Sequence, residues 1–585
     1  VSGFNPSQVS FAAGEWSSAM SGRVDLAARS AALARCENFK PRPQGPALMR
    51  AGSWLQATWP ESDMPRLFEF RVSGSTEDYV VAVGASKIRI YSKSGGLLSF
   101  QPNLIVDGGI DTDWNGNPGT PWSGTATWSN SGHFDLAGSG ASYLQQTITT
   151  VPGATYRLSF LNKNGGADVT IGATTTPMVA ENEAWHYRHL DFTAAGASTL
   201  VKFAGRGTVV GHIDNVAVYR TDGAGGVSEF ASPWTADQLP ALQASSELTS
   251  GRTFFAHREV RPNVLTMPVP GSVCFELYAA SFIGANDGYT NVLGWSGSNW
   301  PGVVEAGFQG RLWLASSPDQ PSMLWGSRSG KPFNFDLGSG LANEAIAVSL
   351  TLRGQVQWVQ GQRILLAGSE AAEHAVSSAS GLIKTADLDV QDASGFGSST
   401  VQARHIGDQV LFVDQSGRRI RALDYSWEKQ AWWSKAITWA AEHLFTSDIT
   451  EVHFSRAPDP MIIAVLANGE LRACTYDRVE GVAAWWRITT SGTVHSAAVA
   501  RTADGDELWV TVAREGASPL IERIPLHETG VTYLDSAITN VASWTDVNGM
   551  PSFPGANHLI GQTVRAVCSD GTLWDDVVVN AFGAV

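Results

Sequence analysis

The sequence predicts a mostly β protein: a β-propeller-like body, a short N-terminal helix and a β-sandwich inserted into the body. Three observations predict it. Glycine supplies 60 of the 585 residues, above the ~7% of ordinary chains, and this suits many tight turns. Apolar and polar residues alternate in stretches such as "FEFRV" (68–72), as in strands with one buried face. Finally, "SGRRIRALDYSWEKQAWW" (416–433) and "NGELRACTYDRVEGVAAWW" (468–486) share a turn glycine, a tyrosine and a tryptophan pair. Gly417 to Gly469 is 52 residues, Tyr425 to Tyr476 is 51 and Trp433 to Trp486 is 53. A period near ~50 of strand–turn–strand units is a propeller signature.

Composition sets the bounds. The chain exceeds one ordinary core, so two to four domains are expected. It is 43% hydrophobic and 16% charged, which is a globular balance. The 22 tryptophans are an excess that a core alone seldom needs; indole is favoured where a large flat face packs or binds while its N–H finds a partner. Cys36, Cys274, Cys474 and Cys568 lie far apart with no CxxC pair, which argues against a zinc site or a disulfide framework. No apolar run nears the ~18 residues of a membrane span; "MIIAVLA" (461–467) has strand length. No export segment is visible, so assembly in a cytoplasm is expected. The formal charge of −15 opposes tight nucleic-acid binding, which needs clustered Lys and Arg.

In chain order, residues 11–27, "FAAGEWSSAMSGRVDLA", come first. Phe11, Trp16 and Met20 are large apolar groups among Gly, Ser and Ala, too sparse to form a core. The expectation is a docking hook that buries them against another subunit, with Arg23 and Asp25 at the rim. "VDLAARSAALARCENF" (24–39) reads as a short helix with Asp25 as N-cap, stopped by Pro41 and Pro43. Strands follow at 68–72 and through "YVVAVG" to Tyr91. Residues 101–221 change character, being rich in Gly, Thr and Trp. Short strands are expected there at "TYRLSF" (155–160), "DVTIG" (168–172), "HLDFTA" (189–194), "TLVKF" (199–203) and "IDNVAVY" (213–219), before the linker "TDGAGGVSEF" (221–230). The expected organisation is 1–100 as docking segment, helix and first propeller strands, 101–221 as insert, 222–530 as propeller body and 531–585 as C-terminal β segment. "DELWVTVAREGASPLIERIPL" (506–526) is expected to supply further strands of the body.

Several segments together resemble the tail nozzle (tail tubular) proteins of short-tailed, podovirus-like bacteriophages. They are "AAGEWSSAMSGRVDLA", "CENFKPRPQGPALMRAG" (36–52), "FQGRLWLASSPDQPSMLWGSRSGKPFNF" (308–335), "VLFVDQSGRRIRALDY" (410–425), "ANGELRACTYDRVEGVAAW" (467–485) and "ANHLIGQTVRAVCSDG" (556–571). The likeness runs end to end except over 101–221 and at the C-terminal end. It implies a structural virion protein, assembled in the host cytoplasm: a homo-oligomeric ring, read as a hexamer, at the distal end of a tail. Its implied partners are the tail adaptor and tail fibres, with DNA leaving through the lumen and no membrane span. Six copies at −15 each would repel phosphate.

The insert resembles jelly-roll carbohydrate-binding modules. "NLIVDGGIDTDW" (103–114) matches their first strand, "LQQTITTVPGATYRLSF" (144–160) their middle and "GHIDNVAVY" (211–219) their last strand. By that resemblance Asp111 and Asp214 are candidate ligands of a structural calcium, whose hardness suits carboxylate oxygen; the alternative is a solvated loop acid beside a strand-end Asp. No other cofactor is implied. Trp114, Trp122, Trp128 and Trp185 are candidates for stacking on a host-surface glycan, or else packing tryptophans of a small sandwich. His186 and His189 point to opposite faces of a strand and suit no shared metal. Asp504 and Asp506 read as a solvated turn, and no P-loop or nucleophile–base arrangement is found. The rival function is a propeller glycoside hydrolase carrying a carbohydrate-binding module, against which stands the lack of paired catalytic carboxylates. A cell-surface adhesin is the third reading.

Overall fold

Seven sheets follow one another along the chain in the computed structural model, which describes residues 8–93, 96–106, 122–129, 133–137, 142–163, 166–179, 186–206, 210–221, 226–247, 251–267, 274–280, 282, 293–337, 341–350, 354–428, 430–515, 518–528, 533–537, 561–567 and 573–579. Each is built on an antiparallel meander. Their first strands are Arg66–Phe70 (sheet 1), Gln243–Glu247 (sheet 2), Val303–Ala306 (sheet 3), Val356–Gly361 (sheet 4), Arg404–Ile406 (sheet 5), Ile449–Ser455 (sheet 6) and Thr493–Thr502 (sheet 7). Two sheets borrow their last strand. Sheet 7 takes Trp54–Thr58 from the N-terminal region, and sheet 1 takes Phe230–Ala231 from beyond the insert.

Each consecutive pair of sheets encloses its own apolar cluster. Phe70 and Phe255 share the one between sheets 1 and 2, Phe254 and Leu314 the next, and Trp313 and Val359 the third. Trp358 and Phe412 join sheets 4 and 5, Val413 and Ile462 sheets 5 and 6, and Ile463 and Val510 sheets 6 and 7. The seventh cluster, with Trp509 and Val80, returns to sheet 1. The ring therefore closes, in a propeller-like order.

This arrangement gives many of the tryptophans the packing role. Every one of the seven clusters contains at least one: Trp234, Trp325, Trp313, Trp358, Trp485, Trp486 and Trp509. Sheets that fan out from an axis leave wedge-shaped gaps, and indole is the largest flat side chain that fills them. Trp485 and Trp486 are consecutive on the strand Val482–Ile488. They point to opposite faces and so serve two clusters. The repeat is real in space: Ile420–Ser426 with Ala431–Ala436, and Leu471–Asp477 with Val482–Ile488, are the third and fourth strands of sheets 5 and 6. Gly417 and Gly469 turn with φ of +74° and +82°.

The insert is a sandwich of two five-stranded sheets. The front sheet runs Ser123–Gly124, Tyr143–Thr149, Ser198–Arg206, Gly166–Ile171, Thr174–Val179. The back sheet runs Thr127–Ser129, His133–Leu136, Gly211–Arg220, Thr155–Lys163, His186–Thr193. Phe134, Leu144, Leu158, Phe160 and Phe203 fill the space between them. Phe100 and Val227 exchange two backbone hydrogen bonds of 2.9 Å, so the insert leaves and rejoins the body at a paired neck. Residues 103–106 form no strand, contrary to expectation, although Leu104 N–H donates to Val218 O at 2.8 Å; residues 107–114 lie outside the described residues. Excising 101–226 through a short Gly/Ser linker is expected to leave the body's thermal midpoint nearly unchanged. Loss of soluble body would show that the insert belongs to its core.

The helix expected over 24–39 is absent. Only a 3-10 turn forms, at Ala27–Ala31, preceded by Leu26 with no side-chain cap. Asp25 is not a cap; it accepts from Arg23 Nε and Nη2 at 2.9 and 2.8 Å. A helix this short cannot repay its nucleation, and Ala32–Leu33 instead pairs in parallel with Gly14–Glu15. A C-terminal hairpin joins Thr563–Val567 to Leu573–Val578. Among the described residues no helix is long and apolar enough to cross a membrane.

Candidate functional site

Three places hold the candidate residues: the insert, the N-terminal segment and the axis of the body. In the insert, Trp122 is not a surface platform. It is 2% exposed and meets Phe134 edge-on at 6.4 Å. The neighbouring Gly124, at φ +146°, lies so close to the next strand that a Cβ would stand 2.0 Å from Tyr143 O. That close approach turns the chain inward and carries the indole into the core. Trp122→Ala is expected to cost about 3–5 kcal/mol in the sandwich's own transition, read by calorimetry, with the body's transition unmoved. Trp128 sits on the edge strand opposite Phe134, its side chain outside the description. Trp114, Trp185 and Asp111 lie outside the described residues. Asp214 is half-buried opposite Leu161, where the register of the back sheet shifts. Among the described residues no group of three His, Cys, Asp or Glu side chains is gathered to hold a metal ion.

The two faces of the sandwich differ. Ala217 and Tyr219 of the back sheet are buried together with Cys274 of sheet 2, and Asn103 Nδ2 donates to Glu276 at 3.1 Å. The body thus covers part of the back sheet. The front sheet turns outward Tyr143, Gln145, Lys202, Asp168 and Thr170. Lys202 Nζ lies 4.3 Å from the Tyr143 ring centre, and Arg206 pairs with Asp168 at 3.1 Å. An aromatic ring amid donors and acceptors is what recognises a sugar. The sequence reading sought tryptophans in loops and did not single out this face, which strand alternation defines.

The N-terminal segment is seated on its own chain, which corrects the docking-hook expectation for its central part. Gly14–Glu15 adds to sheet 6, with Gly14 opposite Trp485. Gly14 has φ +67°, and a Cβ there would lie 2.6 Å from Trp485 O. Trp16 is half-buried 6.2 Å from Trp439, with its Nε1–H donating to Ala13 O. Phe11 is half-buried and its N–H donates to Gly45 O at 2.7 Å. Met20 ends a 3-10 turn, Ser18–Met20, and is half-buried. Buried Glu15 anchors the whole: it accepts from Arg487 Nη2 at 2.7 Å, Cys36 N–H at 2.8 Å and His443 Nε2 at 2.8 Å. Burial pushes its carboxyl up, but these donors outweigh it and hold the pKa below the ordinary value.

Along the axis, the inner strands surround a cavity of about 230 Å³. Neighbouring sheets are stitched across it. Glu305 of sheet 3 accepts from Gln360 Nε2 at 3.1 Å, Gly361 N–H at 3.0 Å and Ser245 Oγ at 3.4 Å. Glu451 of sheet 6 accepts from Arg66 Nε, Ser496 Oγ and Ala497 N–H at 2.8–2.9 Å. Gln402 Nε2 reaches Ala244 O at 2.9 Å and Gln243 Nε2 reaches Gln357 O at 2.7 Å, bridging non-adjacent sheets. Burial pushes Glu305 up to about 7, against the pull of its hydrogen-bond donors. Between pH 4.5 and 7 the folded chain then holds a proton that the unfolded chain has lost, so this group's contribution to stability falls as pH rises. Glu305→Gln should be more stable relative to the parent at pH 7.5 than at pH 5, by urea midpoint. An equal difference at both pH values would sink the assignment.

Two further clusters needed the structure. Ser369 Oγ lies 3.0 Å from His374 Nε2, whose Nδ1 is 3.2 Å from Asp392 Oδ1. This has the order of a nucleophilic triad, but Ser369 is 1% exposed and its hydroxyl donates to Ala372 O at 2.8 Å. With its one proton so placed, the serine accepts from the imidazole and is not activated. Asp506, expected in a solvated turn, is buried and accepts from Ser455 Oγ, Arg456 N–H and Ala457 N–H. It clamps sheet 6 to sheet 7.

No protein-family model and no curated protein matches this sequence. Solved structures share parts of it. A structure described as CBM4 is 16% identical, with a TM-score of 0.17, and covers 20% of this chain and 99% of its own. The enzymatically active domain of bacteriophage CBA120 tailspike protein 4 is 13% identical, with a TM-score of 0.17, and covers 20% of this chain and 21% of its own. U3-55K is 9% identical, with a TM-score of 0.28, and covers 47% of this chain and 92% of its own. These similarities define no function for the chain.

Proposed function

We propose that this chain is a structural subunit of a short phage tail, forming with copies of itself the distal nozzle ring through which DNA exits. The inserted sandwich presents a glycan-binding face to the host surface. The observation that carries the reading is the way the sandwich is mounted: a paired neck holds it, the body covers part of its back sheet, and the polar, tyrosine-bearing front sheet faces outward. The segments that resemble nozzle proteins fall largely in the body, where several buried carboxylates, Glu305, Glu451 and Asp506 among them, clamp neighbouring sheets together. The axial cavity, crossed by Gln402, admits no nucleic acid, so the exit has to be a lumen formed between copies. The acidic charge of each copy would keep phosphate from adhering to that wall.

Negative-stain images of the purified protein test the proposal. Rings of uniform copy number with a central hole are expected. Compact monomers at all concentrations, together with release of reducing ends from host polysaccharide that a single Asp or Glu substitution abolishes, would overturn it in favour of a glycoside hydrolase.

A further inference from the structure

The axial cavity is lined by more positive charge than negative, in a chain of net charge −15. Arg71, Arg404 and Arg456 face it, against Glu69 and Glu305. The acids are occupied. Glu69 accepts from Arg71 Nη2 at 2.6 Å, and Glu305 is held by the three donors named above.

Arg404 is different. It stands on the first strand of sheet 5, inside the ring, and its Nε–H donates to Val452 O at 2.9 Å. Among the described residues no carboxylate pairs with it, and its two Nη groups have no protein acceptor. Glu69 and Glu451 act on it only through space. Arg456, just past the end of the first strand of sheet 6, is exposed and has no carboxylate partner among the described residues. Arg404 is half-buried, and a guanidinium so far inside a fold is ordinarily paired. A planar fork with both Nη edges open to a cavity is the donor set that takes an oxyanion in two parallel hydrogen bonds.

We infer that the axial cavity of the body is a binding site for one small oxyanion, gripped by the Nη groups of Arg404 with Arg456 supplying further positive charge; Arg71 is already paired with Glu69 and faces Asp78. The volume sets the class. About 230 Å³ lies below the ~300–1,000 Å³ of sites for larger organic ligands, so inorganic phosphate or a short carboxylate fits and a nucleotide does not. Ser245 and His453 also line the space, but the Ser245 hydroxyl donates to Glu305 and His453 Nε2 is held by Glu451, so the grip falls to Arg404. Bound there, the anion would link Arg404 of sheet 5 with Arg456 beside sheet 6 and give the Arg404 Nη groups the acceptor they lack.

The test uses the full chain at constant ionic strength. Phosphate, and separately malonate, replaces chloride while thermal midpoint and heat of binding are followed. A saturable rise in midpoint is expected with at least one of them, and comparing the two identifies phosphate or carboxylate as the preferred chemistry. Arg404→Lys, which keeps the charge and loses the fork, should bind about ten- to a hundredfold more weakly. Arg404→Gln should show no saturable rise. Because that variant could fail to fold, wild-type crystals soaked in selenate provide a second reading: an anomalous peak within hydrogen-bonding reach of Arg404 Nη1 or Nη2 is expected. No saturable effect of either anion, an unchanged effect in Arg404→Gln, or selenate bound only elsewhere would overturn the inference and leave water in the cavity.

Discussion

Glu451→Ala is expected to destabilise the body by about 3–5 kcal/mol at pH 7, the cost of leaving a buried partner charge unpaired. Glu451 is 6% exposed and gathers three sheets at once. Arg66 reaches it from sheet 1, Ser496 and Ala497 from sheet 7, and His453 Nε2 lies 3.1 Å away on its own strand. Arg66 Nη1 otherwise meets only the carbonyls of Leu239, Pro240 and Leu242. Burial alone would raise the carboxyl's pKa. The hydrogen bond from His453, the charges of Arg66 and His453 and the Ala497 N–H outweigh it, holding the group at about 2.

The pH dependence follows with a definite sign. A carboxyl depressed in the folded state contributes stability above its unfolded value and loses it on acidification. The parent should therefore weaken as pH falls from about 4.5 towards about 2, while Glu451→Ala lacks that component. Denaturant midpoints of the two proteins should differ most above pH 5 and converge in acid. Equal midpoints at pH 7, or a gap unchanged at pH 2, would show that Glu451 is not the hub described.

Glu15→Ala is the second large effect, about 3–5 kcal/mol, and it decides where the N-terminal segment belongs. Glu15 is 1% exposed and receives Arg487, His443 and the Cys36 N–H. Without it the Gly14–Glu15 strand loses its anchor and sheet 6 loses a strand at its edge. Cys36 provides an independent readout. It is 3% exposed, and burial, then the charge of Glu15, pushes its thiol up to about 12. In the parent it should resist a thiol reagent at pH 8, and in Glu15→Ala one additional thiol per chain should react. A stable variant with no newly reactive thiol, but with ring assembly lost, would restore the picture of a segment that docks on another subunit.

How much of this was legible follows from the range of the forces involved. Strands announce themselves locally. "TYRLSF", "TLVKF" and "IDNVAVY" alternate, and the structure has strands at Thr155–Lys163, Ser198–Arg206 and Gly211–Arg220. The repeat at Gly417 and Gly469 was legible because each turn needs a positive φ that glycine adopts without strain. The other sheets left no matching trace, since their turns differ in length and the chain between sheets 1 and 2 is interrupted by a whole sandwich.

What the sequence by itself determined was the β class, several strands of the compositionally distinct 101–221 stretch and the near-fifty-residue unit, all properties of neighbours along the chain. Tertiary structure alone decided the remainder. Trp122 looks exposed among Gly, Ser and Pro and is buried, because Gly124 permits a close approach that only the partner strand defines. An alanine-rich stretch became a sheet edge, because pairing with Gly14–Glu15 is available and helix nucleation is costly. Glu15 with Arg487, Asp506 with Ser455, and Glu451 with Arg66 are separated by 472, 51 and 385 residues. Burial and pairing of such charges depend on which sheets the closed ring brings face to face, and no local pattern encodes that.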